Sequence, residues 1–98
     1  GSGASAGLVG PGSPVAVQAR IVATRDHGDG SWMLVVVDRG SGSPTGAAVR
    51  WMCGSGNLSE RAGSATRWIP PEGHGVHAVM AAVERDGTVA VETLKIFT

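Results

Sequence analysis

The stretch Val76–Phe97, VHAVMAAVERDGTVAVETLKIF, decides the fold. Two apolar-rich runs flank Asp86-Gly87. Asp-Gly between such runs is a strong hairpin signal, because a type I′ turn needs positive φ at both central positions. Val76, Ala78, Met80 and Ala82 share one side of the first run, and Ala90, Glu92, Leu94 and Ile96 share one side of the second. Both runs carry β-branched residues and neither contains proline. Just upstream, Trp68-Ile69-Pro70-Pro71 halts any helix arriving there. The chain therefore ends on a long hairpin, and earlier segments must supply a sheet for it to join.

Those segments read as strands too. Val15, Val17, Ala19, Ile21 and Ala23 alternate with Ala16, Gln18, Arg20, Val22 and Thr24, which predicts a strand from Pro14 to Arg25 with Gln18, Arg20 and Thr24 on its wetter side. Asp26-His27-Gly28-Asp29-Gly30-Ser31 is turn chemistry. Trp32 to Val37 is apolar on both faces, as a covered central strand is. A loop from Asp38 to Gly46 leads to a third strand, Ala47 to Cys53. After Gly54-Ser55-Gly56, Asn57 and Glu60 have the spacing of a capping box, so residues 58–68 are expected to form a short helix or an ordered loop. Residues 1–13 read as a flexible leader or tag remnant, and 14–98 as a single domain.

Composition sets limits. The chain has 98 residues, of which 16 are glycine and none tyrosine. That length supports one core, and glycine-rich turns suit short strands. No apolar run approaches the roughly 20 residues of a membrane-spanning helix. The opening GSGASAGLVGPGSP has neither the basic start nor the apolar centre of a signal peptide. Cys53 is the single cysteine, so no disulfide can form within the chain and an intracellular setting is expected. Lys plus Arg equals Asp plus Glu, eight of each, so any nucleic-acid binding must come from local placement of charge.

Five strands with an insertion between the third and fourth is the order of an OB-fold, a five-stranded Greek-key barrel in the all-β class. The competing architecture is an immunoglobulin-like sandwich, which wants about seven strands in a chain of this length.

Met33-Leu34-Val35-Val36-Val37-Asp38, a polar loop and Ala47-Ala48-Val49-Arg50, with Trp51 beside it, resemble the passage from strand two to strand three in nucleic-acid-binding OB-folds. With Pro70-Pro71-Glu72 before strand four and Lys95-Ile96 near the end of strand five, the chain is similar to the middle subunit of replication protein A, a heterotrimer that binds single-stranded DNA. The likeness spans about residues 15–97. It implies a subunit acting in DNA replication or repair in the nucleus, contacting single-stranded DNA weakly and assembling with other OB-fold subunits. Met52 stands where that family carries an aromatic on strand three, and Arg85 stands where it carries another in the last hairpin. The alternative on the same fold is an interaction module that touches no nucleic acid.

The candidates for contact with a nucleic-acid strand are Trp32, Arg39, Arg50, Trp51, Arg85 and Lys95, as stacking platforms and phosphate partners. Each also has a plain structural role open to it. Trp32 can cover the end of the fold, Trp51 can sit in the core with Val49 inward, and Arg85 can pair with Glu84 or Asp86. Arg39 and Lys95 can be solvated side chains. No enzyme signature is present. There is no Gly-x-Ser-x-Gly elbow, and Gly54-Ser55-Gly56 does not open a phosphate-binding loop. Asp26, His27 and Asp29 are accounted for by the turn they form, so no metal or cofactor is expected.

Overall fold

The computed structural model describes residues 18–98, and within them every regular element is a β-strand. The expected leader and the start of the first expected strand lie outside the described residues. Seven strands follow in order: β1 (Ala19–Arg25), β2 (Trp32–Asp38), β3 (Ala48–Cys53), β4 (Asn57–Leu58), β5 (Ala65–Ile69), β6 (Val76–Arg85) and β7 (Thr88–Phe97). They form two antiparallel sheets, one ordered β1-β2-β5-β4 and the other β3-β6-β7.

The hairpin that anchored the sequence reading is present. Asp86 has φ 53° and Gly87 φ 79°, the positive pair that a type I′ turn demands. Arg85 faces Thr88, and the ladder runs unbroken to Val76 and Phe97. Backbone bonds in both directions between Gly75 and Thr98 carry it one pair further.

Two expectations are corrected. Instead of one closed five-stranded barrel there are two separate sheets, with no ladder joining them among the described residues. Strands 1-2-5-4 opposite 3-6-7 is the order of the immunoglobulin constant-type sandwich. The second correction produces the first. Residues 57–69 hold no helix but the short pair β4 and β5, which closes the four-stranded sheet. Thr66 and Trp68 are buried at strand spacing, and Trp68 reaches its slot only from an extended backbone. Glu60 makes no capping box. Its N–H donates to Thr66 Oγ1 and its carbonyl accepts from that same hydroxyl, which ties the turn across itself.

The core lies between the sheets. Leu34 and Val36 from β2 and Trp68 from β5 meet Val49 and Trp51 from β3, with Val79, Ala81 and Val83 from β6. The two buried indoles come one from each sheet. Each also satisfies its N–H, Trp51 on the carbonyl of Gly63 at 2.7 Å and Trp68 on that of Ser55 at 2.8 Å. Gly56 sits so close to Trp68 that a Cβ there would lie 2.5 Å from the Ile69 carbonyl oxygen. Its φ of 79° also favours glycine.

Candidate functional site

The sandwich scatters the six residues singled out in the sequence. Trp51 is 2% exposed and belongs to the core, so it presents nothing to a ligand. Arg39 and Arg85 stand at the end where the β2–β3 loop and the β6–β7 turn meet, and both are engaged. The Arg39 side chain donates to the carbonyl of Ala19 and lies 3.5 Å from a Glu92 oxygen. Arg85 pairs with Asp38 at 3.6 Å and donates to Thr45 Oγ1, rather than pairing with its neighbours Glu84 and Asp86. Trp32 begins β2 at the opposite end. Arg50 and Lys95 share the outer face of the three-stranded sheet.

That face follows from the pleat. With Val49 and Trp51 turned inward, Ala48, Arg50 and Met52 must turn out. Across the ladder Met52 faces Met80, Arg50 faces Ala82, and Ala82 in turn faces Val91. Met52, Val76, Val89, Val91 and Phe97 are all exposed there, Phe97 at 72%. Its charged side chains are Arg50, Glu84 and Lys95. The result is a methionine- and valine-rich sheet surface with two cations on it and one carboxylate near the hairpin turn. Along β7, Val89 and Val91 lie toward the hairpin turn and Phe97, paired with Val76, at the far end, with Thr93 and Lys95 between them.

A second feature lies at the end of the sandwich below Trp32. A cleft of about 500 Å³ is lined by Trp32, Pro70, Pro71 and Phe97, with Arg25, Asp29 and His74 also on its wall. The β1–β2 turn holds Asp29 in place. Its Oδ1 accepts from the Ser31 N–H at 2.9 Å and from the Ser31 hydroxyl at 2.6 Å. Ser31 is buried and accepts in turn from Arg67, which also pairs with Asp26 at 3.2 Å. The two bonds from Ser31, side chain first, hold the Asp29 carboxyl below its ordinary range, because both favour the charged form.

Beside the cleft, His77 is buried against Trp68, with ring centroids 5.3 Å apart. Its Nδ1 lies 2.6 Å from Ser55 Oγ and its Nε2 3.0 Å from Thr98 Oγ1. Among the described residues no cluster of three or more His, Cys, Asp or Glu side chains could hold a metal ion, and no helix is long and apolar enough to cross a membrane.

Sequence reasoning singled out Trp32 but missed its surroundings. Arg25 reads as the end of the first strand and Asp29 as part of a turn, and Pro70-Pro71 as a helix stop and a piece of the OB-fold resemblance. The available signal was that the Asp-rich turn and the Pro-Pro pair both border segments with tryptophan. Comparisons of the chain with protein-family models, with curated proteins and with solved structures return no match.

Proposed function

We propose that the chain is a non-catalytic binding module, an immunoglobulin-like sandwich that holds a protein partner against the outer face of β3, β6 and β7. The observation that carries this reading is the concentration of Met52, Val76, Val89, Val91 and Phe97 on that one face. The partner's chemistry follows from the charges: an apolar surface bordered by carboxylates, which would meet Arg50 and Lys95. The experiment compares complexes recovered with the unaltered chain, with Met52→Lys and Val91→Lys, and with Thr24→Lys on the other sheet. The expected result is one partner, or a second copy of the chain seen by sedimentation, lost in the first two variants and kept in the third. Binding that survives both face variants sinks the proposal.

A second reading keeps the single-stranded DNA expectation, and it is supported by Arg50 and Lys95 sharing a face with the exposed ring of Phe97. A strand laid there would contact two cations and stack on one aromatic, so binding would be weak and salt-sensitive. Anisotropy with a short oligo-dT at low and high salt tests it. Arg50→Ala should abolish the signal, and absence of a signal at low salt removes this reading.

A further inference from the structure

We infer that the cleft at the Trp32 end of the sandwich is a binding site for a neutral sugar. This goes beyond the partner surface proposed above and shares only Phe97 with it. Four lining side chains, Trp32, Pro70, Pro71 and Phe97, form apolar walls, and the volume of about 500 Å³ lies within the range of small-ligand sites. Trp32 is half-buried and faces Trp68 across the ladder, so its backbone is fixed by two neighbouring strands. An indole held this way offers an electron-rich face to the weakly positive C–H groups on the flat side of a pyranose ring.

The polar groups narrow the class further. Asp29 has one oxygen committed to Ser31, while Oδ2 accepts no hydrogen bond among the described residues. Arg25, directly across the ladder from Trp32, makes no ion pair among the described residues. Asp29 supplies a fixed acceptor, and Arg25 and His74 supply donors on the same wall. An anionic ligand would be opposed by Asp29 and a cationic one by Arg25. A polyol satisfies both, because each hydroxyl can donate to the carboxylate and accept from the guanidinium. The carboxylate is preorganised by the chain from Arg67 through Ser31 to Asp29, so little ordering remains to be done on binding.

The test uses the full chain and three probes: methyl α-D-mannopyranoside, methyl β-D-galactopyranoside and cellotriose. Amide and indole N–H shifts are followed by NMR, with hexaproline as the competing peptide. The expected result is saturable movement of the Trp32 indole and Gly30 amide signals with at least one sugar. Arg25→Gln, an exposed position that leaves the fold intact, should weaken that binding about tenfold. Trp32→Ala should abolish it. Should Trp32→Ala fail to fold, Trp32→Phe serves in its place and should weaken binding while keeping the site. No saturable shift with any of the three sugars overturns the proposal. So does saturation of these signals by hexaproline alone, or sugar binding indifferent to Arg25→Gln.

Discussion

The two sheets are built alike on the inside and unlike on the outside. Each sends one tryptophan into the core, Trp68 from the four-stranded sheet and Trp51 from the three-stranded one, and each surrounds it with branched aliphatics. Outside, the four-stranded sheet carries Arg20, Thr24 and Arg67 beside two exposed apolar residues, Met33 and Ile69, with Arg67 tied to Asp26 and Ser31. The three-stranded sheet presents Met52, Val76, Val89 and Val91 at 43–58% exposure. A core of this size needs only one apolar face per sheet. The exposed apolar residues of β3-β6-β7 lie on the face on which the proposed partner would dock.

The comparison breaks first in the core. Trp51→Ala should cost about 3–5 kcal/mol, because a large buried indole is removed and the Gly63 carbonyl loses its donor. Trp68→Ala should cost a similar amount, and denaturant unfolding reads both. A large difference between them would mean that one sheet holds the core alone. Next comes Gly56→Ala, expected to destabilise by about 1–3 kcal/mol through its positive φ and the crowding against Ile69 and Trp68. An unchanged midpoint would show that β4 is not closely packed on β5.

The outer faces give smaller effects on stability. Met52→Lys and Thr24→Lys should each stay within about 0.5 kcal/mol of the unaltered chain. If Met52→Lys destabilises the isolated chain much more than that, the apolar face is serving the fold and not a partner. The smallest effect is electrostatic. Asp29 titrates below the ordinary range in the folded chain, so its ionised form favours folding. That contribution is complete above the value of the unfolded chain and is lost as pH falls through the depressed folded value. Asp29→Asn should flatten this part of the acid limb, as thermal midpoints measured across the acid range would record.

The hairpin was legible in the sequence because Asp86-Gly87 fixes it locally, and β1 to β3 were legible from alternation and turn residues. The three-residue spacing of Asn57 to Glu60 misled, since a capping box and a strand-turn-strand use the same polar residues. What decided between them was long-range: Trp68 faces Trp32 across the β2–β5 ladder, and no local pattern announces that. Losing β4 and β5 left five strands in view, and five strands suggested a barrel. Alternation puts Val49 and Trp51 on one face of β3 and Arg50 on the other, but which face turns inward is set by the packing of the two sheets and was not legible in the strand. Nor was the engagement of Arg39 and Arg85 by Glu92 and Asp38, because each pair joins distant segments.

The setting of His77 has a consequence for which of its ring nitrogens carries the hydrogen. Both ring nitrogens meet hydroxyls, and a hydroxyl can give or take a hydrogen bond merely by rotating. The two hydroxyls are not equivalent, because Thr98 Oγ1 also donates to the carbonyls of Gly73 at 3.3 Å and Gly75 at 3.4 Å. Thr98 Oγ1, donating to a carbonyl, is then placed to accept from Nε2–H while Ser55 Oγ donates to Nδ1, which anchors the ring and favours one tautomer.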